Sequence, residues 1–109
     1  MRFFQQREAR EPEAELPPLE EDEVLLVLED LDNGQEYYLA FVDRFTVLGR
    51  EYVALGAYEP DDGAHRPPEF VLMRFDTGPH GEHYYQSIRK RSELKLVFDV
   101  FFERYLRRL

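Results

Sequence analysis

The sequence predicts a single α+β domain, in which an antiparallel β-meander of five or six short strands carries one C-terminal helix. Between 24 and 58, apolar segments alternate with two tight turns, and the first turn contains Asn33-Gly34, the strongest short signal for a β-hairpin. Two further β-rich segments follow. The chain then ends in a segment whose apolar residues recur every three or four positions, which is typical of a helix packed on one side.

The predicted strands are short and bounded by turn residues. The first, at 24–30, is almost continuously apolar, which is typical of a strand covered on both faces. Aromatic and β-branched residues mark a second strand at 37–42, and a bend at Asp43-Arg44 leads to its continuation at 45–48. A Gly49-Arg50 turn leads into a strand at 51–58, and a loop rich in proline and acidic residues covers 59–68. Strands at 70–75 and 82–88 complete the meander.

The last predicted element is a helix from about Ser92, a favourable N-cap, to Arg107. Its main apolar stripe consists of Leu94, Val97, Phe98, Phe101, Phe102 and Tyr105. Two further apolar residues, Leu96 and Val100, point away from that stripe. We expect a core of inward-facing strand and helix residues, namely Leu26, Leu28, Leu39, Phe41, Val53, Leu55, Val71, Met73, Leu94, Phe98, Phe101 and Tyr105.

Composition divides the chain into an acidic, proline-containing tail at 1–22, expected to be largely flexible, and one domain at 23–109. Residues 1–36 carry 3 basic and 12 acidic groups and residues 89–109 carry 7 and 3, so an acidic front contrasts with a basic C-terminal end. The absence of cysteine excludes disulfides and thiolate sites. Without a signal-peptide pattern or a long apolar run, we expect a cytoplasmic protein with no membrane segment.

Several stretches of the chain occur in the order found in a known family. They are EDLDNGQE at 29–36, VDRF at 42–45, LGREYVAL at 48–55, EPDD at 59–62, VLMR at 71–74 and the closing apolar helix. Over roughly 24–106 the chain therefore resembles the YrzB-like domain-of-unknown-function family of small acidic bacterial proteins. It departs from that family at Arg89-Lys90-Arg91, where the family is acidic. The resemblance implies this fold in a soluble bacterial protein and brings no catalytic or ligand-binding residues.

Alternation along the strands makes both faces of the predicted sheet apolar, with Tyr37 and Phe41 on one side and Tyr38 and Val42 on the other. One helix covers one face, so the other face requires a second cover. The sheet could curl towards a barrel, the tail could dock its apolar residues (Phe3, Phe4, Leu16, Leu19), or another protein could cover the face. We favour curling with partial cover by the tail, and a self or partner interface second.

Two polar turns contain residue types that bind metals. His80 and His83 lie three residues apart around a glycine turn, with Glu82 or His65 as a further ligand, but a closed zinc site requires four ligands. The loop that begins Asp61-Asp62-Gly63 continues without the alternating oxygen ligands of a calcium loop. Solvated turns are the simpler interpretation of both segments, so we predict no metal and no cofactor.

The sequence contains no pattern that indicates catalysis. Its serines, Ser87 and Ser92, lie outside any nucleophile elbow, and the chain has no glycine-rich phosphate loop. Its many carboxylates are predicted in the tail and in turns, where water keeps their acidity ordinary. We therefore predict a protein that is not an enzyme and has no small-molecule substrate.

Two surfaces are candidates for binding. A basic cluster near Tyr84 and Tyr85 is typical of nucleic-acid contact, although a net charge of −9 opposes it; its members are Arg89, Lys90, Arg91 and Lys95. An apolar surface is predicted to meet a protein partner or a second copy through Tyr38, Tyr52, Phe70, Leu72, Leu96 and Val100. Our leading hypothesis is a small binding or regulatory module acting through protein-protein contacts. The alternative is a weak nucleic-acid-binding accessory protein.

Overall fold

A computed structural model of the protein describes residues 3–7, 25–57 and 70–108, which form six strands and one helix. In chain order the elements are β1 (Phe3–Arg7), β2 (Leu25–Asp30), β3 (Glu36–Val47), β4 (Arg50–Ala57), β5 (Phe70–Thr77), β6 (His83–Ser87) and α1 (Arg91–Leu106). The prediction of an α+β meander with one C-terminal helix is confirmed. Within the described ranges, no helix combines the length and the apolar character needed to cross a membrane.

The strands form one closed antiparallel ring in sequence order, and β1 closes it by pairing with both β2 and β6. The ring is uneven because its strands differ in length, from five residues in β1 and β6 to twelve in β3. Strand β1 lies within the segment that composition marks as tail, where its Phe4 packs against the ring interior. Phe3, which was also expected to dock, is 46% exposed, and Leu16 and Leu19 lie outside the described residues.

Both hairpins predicted between 24 and 58 are present, but the second turn lies one residue earlier than expected. At the first, Gly34 has a φ of 74° and its amide donates to the Asp30 carbonyl. At the second, Val47 pairs with Arg50, so Leu48 and Gly49 form the turn, both at positive φ. The Gly49-Arg50 assignment is wrong because glycine serves here as the second turn residue, which leaves a leucine in the first.

A β-bulge in β3 changes which residues of this strand face the ring interior and which face the helix. Phe41 pairs with Leu55 and Asp43 with Ala54, so Val42 is an extra residue between them. The extra residue reverses the alternation: Leu39 faces the ring interior before the bulge, whereas Phe45 faces the helix after it. The bend expected between the two parts of this strand is therefore a bulge within one continuous strand.

Two apolar clusters fill the molecule, one on each side of the strands. The inner cluster, inside the ring, consists of Leu26, Leu28, Val53, Leu55, Met73, Phe75 and Tyr85. The outer cluster, between the ring and α1, consists of Phe45, Val47, Tyr52, Ala54, Leu72, Val97 and Phe101. The curled sheet, closed by β1, and the single helix together therefore cover both faces, which agrees with the favoured combination of curling and partial cover by the tail.

The expected core is correct for six of its twelve residues, which are buried: Leu26, Leu28, Val53, Leu55, Met73 and Phe101. Leu39 and Tyr105 are half-buried and pack against the two clusters. Phe41 and Val71 are each 39% exposed, and Val71 lines a cavity of about 220 Å³ together with Phe4 and Leu39. Leu94 and Phe98 are exposed on the helix, so the prediction is wrong for these four residues.

The helix begins one residue earlier than predicted. Its N-cap is Lys90, whose side chain makes no capping hydrogen bond, so Ser92 lies inside the first turn and is not the cap. Glu93 also lies in the first turn, where a carboxylate is favoured by the helix dipole. The C-terminal end agrees with the prediction to within one residue.

Candidate functional site

The first turn of α1 is attached to the ring through the Glu93 carboxylate. Arg74 of β5 donates two hydrogen bonds to it, of 2.8 Å from Nε and 2.5 Å from Nη2, and the Tyr52 hydroxyl donates a third of 2.7 Å. The side chains of Arg74 and Glu93 are each only 15% exposed. The hydrogen bonds from Arg74 are the main reason that the pKa of Glu93 lies below its ordinary value.

The last turns of the same helix are attached through Asp43, beside the bulge. Arg104 donates to both carboxylate oxygens of Asp43, at 2.7 and 3.1 Å, and Arg108 donates to one of them at 2.9 Å. Burial by itself raises the pKa of Asp43, but the hydrogen bonds and charges of the two arginines outweigh it, and the pKa is lowered. Because the helix is held near both ends, the side chains it presents to solvent have a fixed arrangement.

One side of α1 presents a continuous apolar stripe that the ring does not cover. Its members are spaced four residues apart, so they lie side by side along the helix: Leu94, Phe98, Phe102 and Leu106. Each is between 41% and 50% exposed, and the rings of Phe98 and Phe102 stack with their centroids 5.7 Å apart. We call these four residues the exposed stripe. Contiguous exposed apolar surface of this kind on a small protein indicates a contact site.

A groove of about 490 Å³ runs along one edge of the exposed stripe, between α1 and β5. Leu94 and Phe98 line its helix side, and Phe70 and Leu72 of β5 line the strand side. The basic side chains of Arg91 and Lys95 complete the lining, so the groove is apolar with a positive rim.

The predicted partner-surface residues divide between buried and accessible positions. Tyr52 and Leu72 are buried in the outer cluster, and the half-buried Phe70 and Val100 pack against it. The chain's own helix therefore covers much of this set, because the face assigned to a partner is the face that α1 occupies. Leu96 is 42% exposed, but it is two residues from Leu94 and from Phe98 and so lies on another side of the helix. Tyr38 is half-buried on β3.

All four residues of the predicted basic cluster are exposed: Arg89, Lys90, Arg91 and Lys95. They surround the beginning of α1, and Arg91 and Lys95 reach the groove. Tyr85, expected as a stacking partner for this cluster, is buried inside the ring, where its hydroxyl donates to Gln6 at 2.6 Å. A nucleic-acid role for the cluster stays a prediction.

The two described histidines of the predicted metal turn serve different purposes. His83 packs against the Phe75 ring and forms a hydrogen bond of 3.2 Å with Gln6, whereas His80 is exposed at the turn. Among the residues that the structure describes, no three His, Asp or Glu side chains are grouped so that they could hold a metal ion. His65 and Asp61-Asp62-Gly63 lie outside the described residues.

The comparisons with known proteins agree with this architecture. Residues 32–105 match the family model described as "Protein of unknown function (DUF1292)". The chain belongs to this family. The matched region runs from the first hairpin turn to the last residue but one of α1, so it contains the groove and every member of the exposed stripe except Leu106. No catalytic activity is attached to the family description.

The chain is also similar to a "UPF0473 protein" of Caldicellulosiruptor bescii, with 27% identity over 74 residues, covering 68% of this chain and 74% of the relative. No solved structure gives a significant match to the chain. The family and this bacterial relative confirm the broad resemblance to a domain of unknown function that the sequence motifs indicate.

Sequence reasoning missed two features of this surface. Arg74 is a charged residue between apolar neighbours in β5, which is a recognisable signal for an ion pair, but its partner Glu93 is distant in sequence. The exposed stripe was missed because the apolar residues of α1 span more of its circumference than the ring can contact. Periodicity does not distinguish the covered part from the uncovered part.

Proposed function

We propose that this protein is a non-catalytic binding or regulatory module that acts through protein contacts. The exposed stripe is its proposed contact surface. Membership of the YrzB-like group, which its motifs indicate, is part of the same proposal. The observation that carries the proposal is the exposure of Leu94, Phe98, Phe102 and Leu106 on a helix that ion pairs hold in place. Apolar side chains that remain exposed on a rigid element are stabilised when a partner removes them from water.

Charge favours a protein over a nucleic acid as the partner. The residues beside the stripe carry both signs, since Lys95 and Arg91 lie close to Asp99 and Glu103 along the same helix. Nucleic-acid sites depend instead on a surface of one sign, because their affinity arises mainly from contacts with phosphates. The net charge of −9 opposes such contacts further.

The proposal is tested by placing a photo-crosslinking phenylalanine analogue at position 102 or at position 96 in cells that express the protein. Leu96 is the matched control because it is exposed to a similar extent on another side of the same helix. We expect protein adducts from position 102 and far fewer from position 96. No adducts, or equal adducts from both positions, would overturn the proposal, and adducts that disappear after nuclease treatment would favour the nucleic-acid alternative.

A further inference from the structure

The exposed stripe has the symmetry needed to contact itself. Phe98 lies at the centre of its first three members, with Leu94 one turn before and Phe102 one turn after it. In an antiparallel pair of helices related by a two-fold axis at Phe98, this phenylalanine meets its own copy, and Leu94 of each copy meets Phe102 of the other. Each of these three side chains therefore faces another apolar side chain across the interface between the two packed helices.

The charges beside the stripe match the same arrangement. Lys95 and Asp99 lie one turn apart on the same side of α1, and both are exposed. A two-fold axis brings matching sides of the two helices together, so Lys95 of each copy lies about 3 Å along the helix axis from Asp99 of the other. A lysine side chain spans that offset, and the symmetry produces two such ion pairs.

The groove gives a further reason for a second copy as the occupant. It lies directly beside Leu94 and Phe98, so a helix seated on the stripe also covers the accessible part of Phe70, which lines the strand side next to the buried Leu72. The second copy thus removes from water both the helix side and the strand side of the same apolar surface. This chain itself therefore contains the apolar side chains and the charges that the occupant requires.

We infer that the exposed stripe of α1 is a homodimer interface in which two copies pair their helices antiparallel around Phe98. This inference rests on the proposed function, since it names the partner of the same surface. One helix per copy buries less area than the roughly 800 Å² per partner of a standard interface, so we expect a weak dimer that dissociates in the micromolar range.

The test is sedimentation equilibrium on the full chain and on two charge variants. It is done at about 0.15 M salt, where long-range repulsion between the acidic chains is screened. In Lys95→Glu and in Asp99→Lys, each homodimer contains two like-charge pairs, and we expect its dissociation constant to rise by about tenfold. In an equal mixture of the two variants, each mixed dimer regains two opposite-charge pairs, and we expect affinity to return to within about threefold of the original.

The mixture separates contacts between copies from effects within one helix, because mixing changes nothing inside either chain. Phe98→Asp should abolish the dimer and Leu96→Asp should not, with circular dichroism confirming that both variants keep the helix. A mass that stays at the monomer value of 13.1 kDa up to about 1 mM protein would overturn the inference. So would a dimer that Phe98→Asp does not weaken, or a mixture of the charge variants that does not regain affinity. Adducts between position 102 and a different protein would then still support the proposed function.

Discussion

The inner and outer clusters are built from the same strands, but they are enclosed by different means. The ring closes through strand pairing on all sides, so every residue of the inner cluster is buried. The outer cluster is covered by a single helix, and the apolar residues of that helix that the ring does not contact stay in water. A ring completes its own core, whereas a single helix on a wide sheet leaves apolar surface at its edge. That difference explains why the candidate contact site lies on α1.

The largest expected effect comes from Phe101→Ala, which empties the centre of the outer cluster. Phe101 is 1% exposed and packs against Phe45 and Phe70, so we expect a loss of about 4 kcal/mol in the free energy of unfolding. Phe98→Ala removes the same side chain from the exposed stripe and should cost about 1 kcal/mol or less. Urea unfolding at low protein concentration measures both. Equal losses would mean that the stripe is covered in the monomer.

The inner cluster offers a parallel substitution. Leu55 is fully buried in β4, and Leu55→Ala should lower the free energy of unfolding by about 3 kcal/mol. Hydrogen exchange distinguishes the two regions: Leu55→Ala should weaken protection throughout the ring, whereas Phe101→Ala should weaken it first in α1. Uniform loss of protection in both variants would show that ring and helix unfold only as one unit.

Breaking the attachment of α1 at its first turn should have the next largest effect. Glu93→Gln removes the charge that pairs with Arg74 and leaves that guanidinium largely buried without its partner. We expect a loss of about 3 kcal/mol, near the lower end for a buried pair deprived of one member. Asp43→Asn at the other end should cost less, about 2 kcal/mol, because Arg104 and Arg108 are half-exposed and regain water. The opposite order, measured by thermal or urea unfolding, would contradict this account.

Acidification should weaken the ion pairs that attach the helix to the ring. The pKa of Glu93 in the folded protein lies below its ordinary value of 4.5, so its contribution is fully present above that value and is lost as the pH falls through the folded pKa. Asp43 behaves in the same way relative to 3.8. We therefore expect the free energy of unfolding to decrease below about pH 4.5, and to decrease less steeply in Glu93→Gln. An unchanged slope in that variant would exclude Glu93 as the main cause.

Alkali should act instead on the ring. Burial raises the pKa of Tyr85 from 10.0 to about 12, so the folded state favours the neutral phenol. Its stabilising contribution is complete below pH 10 and disappears as the pH rises towards 12, because the unfolded chain loses the proton first. Tyr85→Phe should flatten the alkaline decline in stability. Burial and the hydrogen bond to Glu93 also raise the pKa of Tyr52, so Tyr52→Phe should flatten the decline as well, and a decline that neither substitution changes would contradict this account.

Local patterns in the sequence were sufficient for the strands, the first hairpin and the helix, because each depends on neighbours within a few residues. Closure of the ring was harder to predict, since β1 lies in a segment whose composition is otherwise that of a tail. A bend was predicted beside Val42, but the sequence does not identify Val42 as an extra residue, and the bulge decides which residues of β3 face the helix. The exposed stripe could not be located for the same reason: exposure of Phe98 depends on where a helix about 10 Å wide lies on the ring.

The smallest expected effect concerns Leu48, at the tip of the hairpin that supplies strands to both clusters. Leu48 has a φ of 48° and is 90% exposed, so it holds a left-handed backbone conformation without any packing in return. Asparagine tolerates this conformation better than leucine, and Leu48→Asn should raise the free energy of unfolding by about 0.5–1 kcal/mol. Leu31→Asn is the control, because Leu31 is also exposed in a hairpin turn but is absent from the residues with positive φ.

Because the β3–β4 hairpin joins the inner and outer clusters, the gain should appear equally in the hydrogen-exchange protection of both. A gain confined to one cluster would show that the two regions unfold independently.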